Sequence, residues 1–168
     1  MLFLLREEGS FRGRMVGVDY SEQSVLLARG VAAQKGLGEE DEVVFERWDV
    51  MKQEPGRWAR GRGRDGGQEE DGFGIVLDKG TFDAISLSEE VDAGGRRVCE
   101  GYKGRVEGLV RRGGYLLVTS CNWTEGELRG WLEGGELEFY GRIGYPSFAF
   151  GGRTGQSISS VCFRRKQC

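Results

Sequence analysis

The chain has 168 residues, with 24 basic and 27 acidic side chains for a net charge of −3, and it holds 30 glycines, two prolines, four cysteines and no histidine. The length suits one domain, and a glycine content far above the usual level of about 7 % predicts short, punctuated elements. The absence of histidine excludes Ser-His-Asp and Cys-His nucleophile pairs, histidine-ligated metals and a histidine general base, while the charge balance gives no general attraction to nucleic acid or anionic membrane.

In chain order, Met1-Leu2-Phe3-Leu4-Leu5 is apolar, but Arg6, Glu7 and Glu8 follow at once. That run is too short for a signal-peptide core or a bilayer span. A soluble cytoplasmic or nuclear protein is the default expectation, and the cytoplasm is the preferred one. Met15 to Val18 is a near-continuous apolar run, the pattern of a strand covered on both faces as in parallel sheets. Ser21 can then cap a helix with apolar positions Val25, Ala28, Val31 and Ala32, stopped at Lys35-Gly36. Val43-Val44-Phe45 is a shorter strand-like run. Residues 52 to 72 read as a flexible inserted loop. An RGG-like nucleic-acid contact through Arg60 to Arg64 is the alternative, disfavoured by the neighbouring Glu69-Glu70-Asp71.

Phe73 to Leu77 and Tyr115 to Thr119 are two more buried-strand runs. Between them, Val98, Tyr102, Val106, Leu109 and Val110 fall at helical spacing. Gly101, Gly104 and Gly108 weaken that helix by about 1 kcal/mol each relative to alanine. Thr124 with Glu127 three residues on is a capping box. Leu137 to Tyr140 and Ser157 to Phe163 read as an antiparallel hairpin across a glycine-rich loop. Strands alternating with helices imply an α/β fold with a doubly wound, mainly parallel sheet and this hairpin at one edge. Cys99, Cys121, Cys162 and Cys168 show neither C-x-x-C nor a zinc spacing. Free thiols in a reducing compartment are the simpler reading.

In open parallel sheets ligands bind at the carboxyl ends of the strands, so the residues after each strand are the candidates. Asp19-Tyr20-Ser21 follows the first. A carboxylate there can accept from two ribose hydroxyls, or it can cap the next helix. Trp48-Asp49 follows the short strand and suits adenine, although a surface pair is the better reading on spacing alone. Asp78-Lys79-Gly80-Thr81-Phe82-Asp83 follows the third and reads as a site, with an internal ion pair as the alternative. Ser120-Cys121-Asn122-Trp123-Thr124 follows the fourth and offers an amide beside an apolar wall. Pro146 to Arg153 is an aromatic, glycine-flanked loop, either a lid or substrate rim or the corner of the hairpin.

The strings Gly17-Val18-Asp19-Tyr20-Ser21, Leu77-Asp78-Lys79-Gly80-Thr81-Phe82-Asp83-Ala84-Ile85-Ser86-Leu87, Thr119-Ser120-Cys121-Asn122-Trp123-Thr124 and Phe148-Ala149-Phe150-Gly151-Gly152-Arg153 occur in that order. Together they resemble the seven-strand S-adenosylmethionine-dependent methyltransferases. Within that class the chain is most similar to the protein-lysine methyltransferases that modify translation elongation factor 1-alpha. The resemblance implies a Rossmann-like fold, S-adenosyl-L-methionine as cofactor, a protein substrate and a complete protein that acts as a monomer, with neither nucleic acid nor membrane as partner and no metal. It implies cofactor contacts from Asp19 and Tyr20 at the ribose and from Trp48 and Asp49 at the adenine. Asp78, Lys79, Gly80 and Phe82 would form the floor of the reaction site, the first three as further cofactor contacts and Phe82 as a substrate contact, and Asp78, Asn122 and Trp123 would carry catalysis around the incoming lysine. Phe148 and Phe150 would form a substrate rim.

Members of this class begin their core with a strand ending in an Asp/Glu-x-Gly-x-Gly turn, where glycine admits the cofactor against the backbone. No strand-like run of the chain ends in that pattern. The N-terminal run reads as the helix that follows the turn, so the resemblance implies a sheet lacking its first strand and a chain truncated at its N-terminus. Weak cofactor binding, and a non-catalytic relative that keeps a protein-binding surface, is the alternative expectation. A dinucleotide-dependent oxidoreductase on a similar sheet is weaker, because Cys121-Asn122-Trp123-Thr124 has no role there.

Overall fold

The computed structural model describes residues 2–37, 42–59, 72–146, 148–150, 153–155 and 158–167. The chain divides into two compact units, Met1–Trp58 and Ala59–Cys168. Most of the expected inserted loop, residues 60–71, lies outside the described residues. Its first part ends in a short 3₁₀ turn, Arg57–Ala59.

In the first unit, the apolar N-terminal run forms helix α1, Leu2–Glu7. Its Arg6 is buried and donates to the carbonyls of Phe11 (3.0 Å) and Gly13 (3.3 Å), which ties down the loop that leads to the sheet. Strand β1, Met15–Asp19, pairs in parallel with β2, Val43–Arg47, from Met15 opposite Val43 to Asp19 opposite Arg47. Helix α2, Glu22–Gln34, makes the crossover between them. Ser21 Oγ accepts from the Ser24 amide and caps the start, and the chain leaves at Lys35 through Gly36 at φ +66°. Val25 and Ala32 are the buried positions of α2, matching the expected apolar stripe.

In the second unit four strands form one sheet in the order β3, β4, β8, β5. Strand β3, Phe73–Lys79, runs parallel to β4, Val110–Ser120. Strands β5, Leu137–Ile143, and β8, Ser159–Arg165, are antiparallel, as the expected hairpin requires. The last strand, however, inserts between β4 and β5 and does not extend the edge. A small pair, β6 (Phe148–Phe150) and β7 (Arg153–Gly155), stands apart from this sheet.

Among the described residues this unit has three α-helices: α3, Thr81–Leu87; α4, Tyr102–Glu107, entered through a 3₁₀ turn at Val98–Gly101; and α5, Glu125–Leu132. The glycine-weakened helix is thus reduced to six residues of α-helix, and Val110 joins β4 instead. The core lies on one face of the sheet. Leu116, Val118, Val161, Phe163 and Leu137 are buried there with Val106 and Tyr102 of α4 and Leu128 and Leu132 of α5. Between Phe73 and Ile75 the β3–β4 register jumps from Val110 to Tyr115. Gly114 allows this step, since a Cβ there would lie 2.9–3.0 Å from three carbonyl oxygens, those of Arg111, Gly74 and Phe73. Among the described residues no helix is long and apolar enough to cross a membrane.

The capping box is formed: Thr124 Oγ1 accepts from the Glu127 amide, and Glu127 Oε2 accepts from the Thr124 amide at 2.9 Å. Thr124→Ala should therefore destabilise the second unit by about 1 kcal/mol, read from urea unfolding midpoints at unchanged slope. An unshifted midpoint would show that the cap contributes nothing.

Candidate functional site

The carboxyl end of the β1–β2 pair brings two of the expected groups together. The Trp48 amide donates to the Asp19 carbonyl (2.9 Å), so Asp19 and Asp49 share one end of the sheet. Asp19 Oδ1 accepts from the Ser21 amide at 2.8 Å, and Asp49 Oδ1 accepts from the amides of Met51 and Lys52 at 3.0 and 3.1 Å. Each carboxylate makes its local turn through Oδ1 and keeps its Oδ2 uncommitted among the described residues. Tyr20 is exposed beside Asp19. Trp48 is buried. Its ring meets Trp58 edge-on at 5.1 Å, and its indole N–H is donated to the Gln53 carbonyl. The structure thus places Trp48 in the core of its unit, where it supports Asp49.

In the second unit, β3 and β4 end side by side, with Lys79 opposite Thr119 and the Gly80 amide bonded to the Thr119 carbonyl. Asp78 is the last buried residue of β3. Its Oδ1 accepts from the Thr81 amide (2.8 Å) and its Oδ2 from the Phe82 amide (3.0 Å) and the Tyr102 hydroxyl. The carboxylate therefore starts α3 from the preceding strand, and Gly80, at φ +84°, makes the turn that lets it. Burial pushes the Asp78 carboxyl above its ordinary range, and the bonds from Tyr102, Thr81 and Phe82 hold that rise back. Burial, and then the Asp78 charge, push the Tyr102 phenol well above its ordinary value. Lys79 is exposed.

The turn after β4 lies next to this group. Ser120 Oγ accepts from the amides of Asn122 (3.0 Å) and Trp123 (2.9 Å), and it donates to Asp83 Oδ1 (2.5 Å). Asp83 Oδ2 accepts from the Cys121 amide at 3.0 Å. Asn122 is exposed, and its side chain makes no hydrogen bond among the described residues. Trp123 is half-buried, with its indole N–H donated to Ser86 Oγ at 2.8 Å. Its ring belongs to a cluster in which Phe82 lies 5.1 Å from Tyr102, 6.2 Å from Trp123 and 5.8 Å from Trp131. Phe82 itself is 1 % exposed, so it packs beneath this wall and does not face solvent. Phe148 and Phe150 lie on β6, of which the backbone pairing alone is described.

The sequence pattern puts Asp78, Asn122 and Trp123 at two strand ends, and the structure sets those ends side by side. The roles of Asp83, Ser86, Ser120, Tyr102 and Trp131 were not foreseen. Asp83, Ser86 and Ser120 stood inside the strings that carried the resemblance. Tyr102 carried no signal beyond an apolar helix position.

The sequence pattern of the methyltransferase domain family matches residues 1–141. The chain is 40% identical over 163 residues to the protein-lysine N-methyltransferase EFM4 of Saccharomyces cerevisiae, covering 97% of this chain and 64% of the yeast protein. It is 30% identical over 151 residues to the EEF1A lysine methyltransferase 2 of Homo sapiens, covering 90% of this chain and 56% of the human one. The chain thus spans less than two thirds of the length of these relatives. The fold is also similar to that of a TehB-like SAM-dependent methyltransferase from Corynebacterium glutamicum, with a TM-score of 0.56 at 14% identity, over 91% of this chain and 68% of that one.

Proposed function

The chain belongs to the methyltransferase domain family, and on that premise we propose that it transfers a methyl group from S-adenosyl-L-methionine to a lysine of translation elongation factor 1-alpha. The names of its relatives in yeast and human support this substrate. The observation that carries the reading is Asn122, an exposed and uncommitted amide on a turn whose backbone is fixed, beside the Trp123 ring and the Asp78 strand end.

The two uncommitted Oδ2 atoms fit the cofactor's donors: Asp19 would accept from the ribose hydroxyls and Asp49 from the adenine amino group. When bound, the cofactor supplies a methyl group that is already activated, so the protein's task is alignment for in-line displacement. The lysine amine must be neutral to attack. The aromatic wall of Trp123, backed by Phe82 and Trp131, disfavours its charged form by desolvation. The Asn122 side-chain carbonyl accepts an N–H of the amine and orients its lone pair, while the released proton leaves through water. Asp78, committed to α3 and Tyr102, holds the floor of the site with Lys79 and Gly80. In this reading both units belong to one methyltransferase domain working in the cytoplasm as a monomer, without nucleic acid or membrane, and Phe148 and Phe150 border the substrate.

Transfer of labelled methyl groups from S-adenosylmethionine to purified elongation factor tests the roles. Asn122→Ala should lower kcat by about 10²-fold or more, and Asp78→Ala should lower both activity and stability. Unchanged transfer in both variants would overturn the role assignment. One observation favours a second reading, a partner-binding relative without catalysis: no described strand ends in an Asp/Glu-x-Gly-x-Gly turn, and the one such string, Glu70-Asp71-Gly72-Phe73-Gly74, runs into the start of β3. Calorimetry with S-adenosylmethionine separates the two. Binding with turnover supports transfer, whereas capture of elongation factor without cofactor binding supports the second reading.

A further inference from the structure

We propose that Asp83 and Ser120 are positioning residues that set the Cys121-Asn122-Trp123 turn for methyl transfer, an inference that rests on the role given to that turn above. A serine hydroxyl has one hydrogen to give and two lone pairs to receive with. Both Ser120 lone pairs are filled by the amides of Asn122 and Trp123. Its hydrogen must therefore be donated, and Asp83 Oδ1 receives it. The second Asp83 oxygen receives the Cys121 amide. Three consecutive amides thus end on one carboxylate, directly or through one hydroxyl. Both residues are buried, Ser120 at 1 % and Asp83 at 8 % exposure.

This arrangement leaves Asp83 no freedom of chemical type. Both its oxygens must accept. An asparagine there would turn its amide group toward either the Cys121 N–H or the Ser120 hydroxyl, and neither has a lone pair to offer. The ring of Trp123 is fixed from the same residue: Ser86 Oγ accepts the indole N–H and donates to the Asp83 carbonyl at 3.2 Å. Asp83 therefore holds Trp123 by backbone and by ring. At the centre of this buried network stands Asn122, exposed and uncommitted. The network thus presents the Asn122 amide on a turn whose backbone is fixed.

The test compares the chain with Ser120→Ala, Asp83→Asn and Ser120→Thr, and with Leu132→Ala as a destabilised reference away from the network. Hydrogen exchange at the Asn122 and Trp123 amides is measured relative to the Leu116 and Val118 amides of β4. The ratio should rise at least about tenfold in Ser120→Ala, where both amides lose their acceptor, and in Asp83→Asn, where the hydroxyl that holds them loses its own partner. It should stay unchanged in Leu132→Ala and return toward the parent in Ser120→Thr. In methyl transfer, kcat at saturating elongation factor should fall at least about tenfold in the same two variants, with the KM for S-adenosylmethionine unchanged, and Ser120→Thr should recover it. An unchanged exchange ratio in Ser120→Ala, or a raised ratio with unaltered kcat, would overturn the proposal. A parent chain that transfers no methyl group to any acceptor would instead overturn the functional reading, while the exchange ratio still decides whether the network sets the turn.

Discussion

Phe82→Ala is expected to destabilise the second unit by about 3–5 kcal/mol, a large share of the net stability of a domain of this size. Phe82 is 1 % exposed and sits at the second position of α3, so its ring is the buried hub of Tyr102, Trp123 and Trp131. Truncation removes the transfer energy of the ring and leaves a cavity whose walls are stiff aromatic side chains with little room to collapse. It also removes aromatic contacts worth about 0.5–1.5 kcal/mol each beyond their buried area. The variant's amide still bonds Asp78, so the start of α3 survives and the loss isolates packing. Urea unfolding followed by near-ultraviolet circular dichroism reads the effect. A loss below about 1 kcal/mol, the range of a volume-conserving swap, would show that the cluster is not tightly packed.

Tyr102→Phe should cost about 1.5–3 kcal/mol near neutral pH, with a pH dependence of definite sign. The substitution keeps the ring against Phe82 and deletes the hydroxyl that donates to the buried Asp78 Oδ2. In the parent chain, burial holds the folded-state Asp78 carboxyl above its ordinary 3.8, and the Tyr102 bond limits that rise. A carboxyl raised on folding binds its proton more tightly in the native state. Its contribution to stability is therefore complete below the unfolded value and is lost as pH rises through the folded value. Without Tyr102 the folded value climbs further, and the window of loss widens upward. The variant's penalty should be small below about pH 3, where Asp78 is protonated in both states, and should grow toward about pH 7. A penalty equal at both ends would mean that the hydroxyl does not act on the Asp78 charge.

Much of the site was legible because chemistry at strand ends is local in sequence. A buried apolar run stopping at Asp78-Lys79-Gly80 or at Ser120-Cys121-Asn122 marks both the strand and what it delivers. The Ser21 and Thr124 caps were legible for the same reason, since each acceptor lies three residues from its donor. Helix α3 was not, because its start is bonded by a carboxylate on the preceding strand, while its N-cap glycine has no side chain. Val110 followed a helical spacing, but Gly104 and Gly108 undercut the helix and parallel pairing with Phe73 claimed the residue. The placement of β8 between β4 and β5, and the bond from Ser120 to Asp83 across 37 positions, are tertiary choices with no local pattern to betray them. Trp48 shows the reverse case. On spacing alone Trp48-Asp49 reads as a surface pair, yet the Trp48 ring is buried against Trp58 and its N–H goes to Gln53, contacts distant enough in sequence to leave no local pattern.

Lysine methyl transfer is tested most directly by incubating this chain with S-adenosylmethionine and elongation factor 1-alpha, then mapping the products by peptide mass spectrometry. Methyl groups are expected on the side-chain amine of a lysine in the factor, dependent on the chain and strongly reduced by Asn122→Ala. Methylation confined to another atom type, or a factor left unmodified while the chain binds S-adenosylmethionine, would contradict it.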